Sequence, residues 1–86
     1  MRLTKYHADW CQPCKTLTVI MKGMTYDEVD IETQAGGDEA RFYNVRSLPT
    51  LVLNDNDNGF VSMLVGLRSR QEISRWLSEN NASDLG

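Results

Sequence analysis

The chain has 86 residues, of which 41% are hydrophobic and 24% are charged, and its formal net charge at pH 7 is −3. A chain of this length forms one domain with a modest core, and the lack of clustered lysine and arginine disfavours nucleic-acid binding. Its apolar runs are far shorter than the ~20 residues that a membrane span needs, and its N-terminus lacks the apolar stretch of a secretory signal. We therefore expect a monomeric, cytoplasmic domain over residues 1–80, followed by a polar, frayed tail at 81–86.

The first half of the chain predicts a strand, a helix and a second strand. Residues 2–6, RLTKY, are a short β-favouring run. The next segment has apolar residues at helical spacing, with Asp9 as a candidate N-cap and Gly23 as a candidate stop. Residues 25–32 alternate between polar and apolar side chains, which is typical of a half-buried strand. The two strands of such a unit are parallel and joined by a right-handed crossover.

The second half predicts a helix, a β-hairpin and a closing helix. Residues 36–45 begin with a Gly-Gly turn and an aspartate cap, which favours a short second helix. Strands at 49–54 and 60–66 flank DNDNG, a segment typical of a tight turn. Residues 69–80 open with a serine and, three residues later, a glutamate, which is the capping-box pattern. The predicted fold class is therefore α/β, in the order β-α-β-α-β-β-α.

The only two cysteines, Cys11 and Cys14, are separated by two residues at the predicted start of the first helix. A disulfide that closes so short a loop removes only about 2 kcal/mol of unfolded-chain entropy. Structural disulfides are also rare in the cytosol, so redox or metal chemistry is favoured over a structural bridge. Helix N-terminal amides favour a thiolate at Cys11, burial should keep Cys14 protonated, and Pro13 suits the first turn. This pattern predicts Cys11 as the nucleophile that forms a mixed disulfide and Cys14 as the thiol that resolves it.

Three stretches resemble signatures of the thioredoxin family, in that family's order: ADWCQPCK at 8–15, VRSLPTLVL at 45–53 and LVGLRSRQEISRWL at 64–77. The resemblance implies a thioredoxin fold in a minimal form, with a four-stranded mixed sheet flanked by helices. With the connecting elements it spans most of residues 2–80. It begins at what would be the family's second strand, so the chain has the size of a glutaredoxin.

The resemblance also implies a surface around the two cysteines that binds partner proteins. Pro49 would follow a cis peptide bond, would direct the backbone of Leu48 towards a substrate strand and would shield the cysteines from metals. The implied substrate-binding residues are Trp10, Pro13, Leu48, Pro49, Val65 and Gly66.

Two positions depart from the family pattern. Lys5 stands where the family usually has a buried acid that assists proton transfer to the second cysteine. A buried lysine would be neutral or would extend its amine towards solvent. Gln12 replaces the family's commonest glycine between the cysteines, where residues tune the redox balance.

The resemblance implies a thiol–disulfide oxidoreductase that reduces disulfides in partner proteins and binds no cofactor or metal. Its electrons would come from NADPH through a flavoprotein thioredoxin reductase, and ribonucleotide reductase is an implied client. One alternative is a glutaredoxin-type reductase that uses glutathione, although VGLRSRQEIS is more similar to thioredoxin than to a glutathione pocket.

Two further alternatives belong to other functional classes. The first is a metal-binding module, for which two cysteines and one histidine fall short of four ligands in one chain. The second is an interaction domain without catalytic activity, which the intact cysteines disfavour. A metal-bearing dimer would support the first, and a role that survives Cys11→Ser would support the second.

Overall fold

The computed structural model describes residues 1–86, and its strands form one four-stranded sheet in the order β2-β1-β3-β4. Strand β1 pairs parallel with β2 and antiparallel with β3, which in turn pairs antiparallel with β4. The predicted mixed sheet is therefore confirmed. Edge strand β2 is shorter than the predicted 25–32. The strand bounds are β1 Arg2–His7, β2 Asp27–Asp30, β3 Thr50–Asn54 and β4 Phe60–Val65.

Three α-helices cover the two faces of the sheet, and their order along the chain matches the prediction. Their bounds are α1 Gln12–Ile20, α2 Gln34–Phe42 and α3 Arg70–Glu79. Alternate residues of β1 point to opposite faces, so Leu3 packs with the core of α1 and α3, and Tyr6 packs with Ala40 of α2. None of the helices has the length and apolar character that crossing a bilayer requires.

Helix α1 begins at a different cap from the predicted one. The N-cap is Cys11 rather than Asp9, because the amide of Cys11 donates to the carbonyl of Ala8 and closes a turn before the helix starts. Gly23 has a φ of +90° and lies in the turn after the helix, as expected of a stop signal. The first cysteine is therefore placed at the helix N-terminus.

Helix α2 also begins earlier than predicted, because the Gly-Gly pair lies inside it. The N-cap is Thr33, whose hydroxyl accepts a hydrogen bond from the amide of Gly36 at 2.9 Å. A Cβ atom at Gly36 would collide with the carbonyl of Asp30. The glycine therefore allows α2 to approach the end of β2 closely and does not form a turn.

The closing helix and the chain terminus pack together. The capping box of α3 is confirmed, since Ser69 and Glu72 exchange two hydrogen bonds of 3.1 Å. The prediction of a frayed tail at 81–86 is wrong. Ala82 and Leu85 are buried in the main core cluster, and the carbonyl of Leu85 accepts a hydrogen bond from the amide of Thr25 at 2.8 Å. The apolar side chains anchor the otherwise polar segment.

Candidate active site

The two cysteines form a disulfide across the first turn of α1, with their Cα atoms 5.3 Å apart. Because Cys11 is the N-cap, its Sγ atom accepts a hydrogen bond from the backbone amide of Cys14 at 3.2 Å. Helix N-terminal amides have no partner within the helix, and together with the helix dipole they stabilise negative charge. The fold therefore places the sulfur of Cys11 where a thiolate is favoured.

The disulfide packs in a small apolar cluster at the carboxyl end of β1. Cys11 is 4% exposed and Cys14 is 2% exposed, and they pack with Ala8, Ile31 and Leu48. In contrast, Gln12 and Pro13 between the cysteines are exposed, and the proline lies in the first turn, where its missing N–H costs nothing.

A second segment, residues 48–49, approaches the cysteines from the start of β3. The Leu48–Pro49 peptide bond is cis, and the side chain of Leu48 packs against the cysteine cluster. The carbonyl of Pro49 accepts a hydrogen bond from the amide of Gly66 at 2.8 Å, just beyond the end of β4. The three stretches that resemble family signatures thus meet at one end of the sheet.

The predicted substrate-binding residues divide into two groups in space. Trp10 and Leu48 line a cavity of about 190 Å³, together with Ile31 and residues of the loop before Pro49. Trp10 is 67% exposed. Val65, Gly66 and Pro13 lie outside this cavity, and Val65 is 43% exposed at the end of β4.

Lys5 is buried and ion-paired, so its amine does not extend towards solvent, which was one of the two expectations for a lysine at this position. Its side chain is 2% exposed, and Nζ lies 3.1 Å from a carboxylate oxygen of Glu28. The Nζ atom also donates to the hydroxyl of Thr18, which in turn donates to the carbonyl of Cys14 at 3.1 Å. The ring of Tyr26 lies 5.9 Å away. The signal for this pair was the parallel register of β1 and β2, which sets Lys5 opposite Glu28.

A polar cavity of about 170 Å³ lies beside Cys14 and is also lined by this ion pair. It is bordered by Lys5, Thr18 and Glu28, and also by His7, which is half-buried at the end of β1. The cavity has an exposed rim, and its remaining lining residues are Ala8, Asp9 and Lys15. No group of three or more histidine, cysteine, aspartate and glutamate side chains is arranged to hold a metal ion.

The sequence model of the thioredoxin family matches residues 1–79. A thioredoxin from Buchnera aphidicola is 30% identical over 84 residues, which are 91% of this chain and 77% of that protein. A thioredoxin from Mycolicibacterium smegmatis is 31% identical over 85 residues, with 90% and 75% of the two chains covered.

Solved structures show the same relationship. A mutant thioredoxin from Halobacterium salinarum superposes with a TM-score of 0.74 at 30% identity, covering 91% of this chain and 72% of that one. A thioredoxin from Thermus thermophilus superposes with a TM-score of 0.76 at 23% identity, which supports the fold. It covers 90% of this chain and 70% of that one. The chain therefore belongs to the thioredoxin family of thiol–disulfide oxidoreductases, and Cys11 and Cys14 are its redox-active pair.

Proposed function

We propose that the protein reduces disulfides in other proteins, with Cys11 as the nucleophile and Cys14 as the resolving thiol. The observation that supports this assignment is the hydrogen bond from the Cys14 amide to Cys11 Sγ. This bond supports Cys11 as the sulfur that the helix N-terminus would stabilise as an anion, and a thiolate is the form of cysteine that attacks disulfides.

The reaction would have two exchanges. The Cys11 thiolate attacks one sulfur of the client disulfide, so that a mixed disulfide forms and the other client sulfur leaves with an electron pair. Cys14 then loses its proton and attacks Cys11, which releases the second client sulfur as a thiolate. The client gains two electrons and two protons, and the protein ends with the Cys11–Cys14 disulfide.

The surface around the cysteines suits an extended client segment. The backbone amide and carbonyl of Leu48 form no hydrogen bond within the chain, so they are free to pair with a client strand. Trp10 lines a cavity with Leu48, and Val65 pairs with Thr50, so both exposed side chains offer apolar contact near this position. Pro13, Pro49 and Gly66 complete the proposed surface. This surface does not require a bound cofactor or metal.

In this proposal the protein is a cytoplasmic monomer. A thioredoxin reductase takes electrons from NADPH and transfers them to it. Ribonucleotide reductase is a candidate client. The assay combines NADPH, insulin and the protein with either thioredoxin reductase or glutathione and glutathione reductase. We expect insulin reduction only with the first system. Turnover with glutathione alone would instead assign the protein to glutaredoxin-type chemistry.

The roles of the two cysteines are tested with Cys14→Ser and Cys11→Ser in the full chain. We expect Cys14→Ser to form a stable mixed disulfide with clients and Cys11→Ser to form none. In the reduced parent protein, iodoacetamide should label Cys11 faster than Cys14, and faster than the same cysteine after unfolding in urea. Equal labelling of Cys11 in the folded and unfolded protein would contradict its assignment as the nucleophile.

A further inference from the structure

We propose that the buried ammonium group of Lys5 is the positive charge that stabilises the thiolate of Cys14 during the second exchange. Lys5 would thus be a positioning residue that acts on Cys14 by its charge. This inference rests on the proposed function, because only a resolving cysteine needs to become a thiolate in a mixed disulfide.

Two structural features connect Lys5 to the resolving cysteine. Lys5 and Cys14 line the same 170 Å³ cavity, and a chain of two hydrogen bonds joins Lys5 Nζ through the Thr18 hydroxyl to the Cys14 carbonyl. Thr18 belongs to the same helix as Cys14, one turn later. The amine is therefore held near the backbone of Cys14 by both β1 and α1.

The balance of charge around Cys14 favours the cation. The Lys5 side chain is 2% exposed, whereas that of its partner Glu28 is 46% exposed. Water screens the exposed carboxylate more effectively than the buried ammonium, so the field that reaches the thiol is positive. The other titratable groups that face the cavity are Asp9 and Lys15 on its exposed rim and the half-buried His7.

In this proposal the second exchange uses solvent as the proton acceptor. The Cys14 thiol releases its proton to solvent through the exposed rim of the cavity, and Lys5 acts only through its charge. The resulting thiolate attacks Cys11 Sγ, the bond from Cys11 to the client sulfur breaks, and that sulfur leaves with the electron pair. Burial of Cys14 opposes thiolate formation, and the fixed cation offsets this cost.

The decisive measurement is the pH titration of Cys14 alone, by the ultraviolet absorbance of its thiolate in the reduced Cys11→Ser protein. Replacing Lys5 by Met keeps the length of the side chain and removes its charge. We expect Lys5→Met to lower the thiolate fraction at neutral pH about tenfold, because a nearby charge shifts such equilibria by a pH unit or more. Lys5→Arg should retain most of the thiolate. The matched control is Lys15→Met, which removes a lysine from the exposed rim and should change the fraction less than about twofold.

An equal effect of Lys5→Met and Lys15→Met would overturn the proposal. If Lys5→Met does not fold, the Cys11→Ser protein with its native Lys5 still gives an answer. A Cys14 midpoint at or below the ordinary value of about 8.5 supports the proposal, and a higher midpoint overturns it. This titration uses no client or reductase, so a failure of this inference can be distinguished from a failure of the proposed function.

Kinetics with 5,5′-dithiobis(2-nitrobenzoate) then separate an effect of charge from a structural effect. Cys11 attacks this aryl disulfide and releases one coloured thiolate, and Cys14 releases the second. We expect Lys5→Met to slow the second release about tenfold at neutral pH and to match the parent protein at alkaline pH. A loss of rate that is the same at every pH would indicate a structural role and overturn the proposal.

Discussion

The amide of Gly66 donates a 2.8 Å hydrogen bond to the carbonyl of Pro49. This bond connects the end of β4 to the segment that packs against the cysteines. Gly66 has a φ of +91°, and a Cβ at this position would meet no atom within 4 Å. The residue is therefore required for its backbone conformation and not for lack of space.

Gly66→Ala should lower the free energy of unfolding by about 1–2 kcal/mol, because an L-residue with a Cβ is strained at this φ. Urea denaturation of the oxidised protein measures the change. Gly66→Asn is the comparison, since asparagine tolerates positive φ better, and its loss should be smaller. Full stability of Gly66→Ala would show that the chain can leave this conformation without cost.

Trp10→Ala should raise KM for a protein disulfide about tenfold while the free energy of unfolding changes by less than about 0.5 kcal/mol. The physical reason is that Trp10 is 67% exposed and lines the cavity beside Leu48, so its loss removes client contacts and not core packing. Phe42→Ala is the matched control, because Phe42 is 80% exposed on α2 and packs on Tyr43, away from the cysteines. Equal KM values for the two variants would place the client elsewhere.

Arg70→Ala should lower the free energy of unfolding by about 1–2 kcal/mol. The guanidinium of Arg70 donates to the carbonyls of Ile20 at 2.7 Å and Lys22 at 2.8 Å, which lie at the end of α1 and have no helical partner. Arg75→Ala removes an exposed arginine from the same helix and should change stability by less than about 0.5 kcal/mol. Thermal or urea unfolding of both variants tests whether Arg70 joins α3 to α1.

Glu72→Gln should make the stability less dependent on acidic pH. Hydrogen bonds from the backbone amide of Ser69, then from its hydroxyl, and the nearby Arg68 hold the pKa of Glu72 below its usual 4.5. Because this pKa is lowered in the folded protein, the contribution of the Glu72 carboxylate to the free energy of unfolding is fully present above about pH 4.5. It is lost as the pH falls through the folded-state pKa. Urea denaturation at a series of pH values, from neutral down through the folded-state pKa, should therefore show that the difference in free energy of unfolding between the parent and Glu72→Gln becomes smaller at acidic pH. Glu79→Gln, at the other end of α3, is the control. If the difference between the parent and Glu72→Gln stayed the same at acidic pH, the capping carboxylate would contribute no pH dependence to the stability.

Leu85→Ala should lower the free energy of unfolding by about 2–3 kcal/mol, because Leu85 is 8% exposed in the main core cluster. Asp84→Ala, at the exposed neighbouring position, should have little effect. Urea denaturation distinguishes an anchored terminus from a frayed one, since a frayed terminus predicts equal stability for both variants.

The order of elements and the position of the cysteines were predictable from the sequence because they depend on local patterns. The capping box at Ser69 is of this kind. The start of α2 was not, because Gly36 is fixed by the nearby carbonyl of Asp30, and a Gly-Gly pair is more often a turn. The buried Leu85 was missed for a similar reason, since one apolar residue among polar ones gives no periodic signal.

The site was predictable in its chemistry and less so in its surroundings. The spacing of Cys11 and Cys14 indicates their roles, but the environment of Lys5 depends on the register between β1 and β2. That register is set by packing across the whole sheet, and no short motif encodes it. Glu28 and Thr18 therefore became visible as neighbours of Lys5 only in the folded chain.

The disulfide joins residues that are only three positions apart, at the cap and in the first turn of one helix. Making or breaking it alters one small ring and crosslinks no distant parts of the sheet or of α3. The oxidised and reduced proteins can thus share one fold, and the cysteine pair can be oxidised and reduced many times without refolding between cycles.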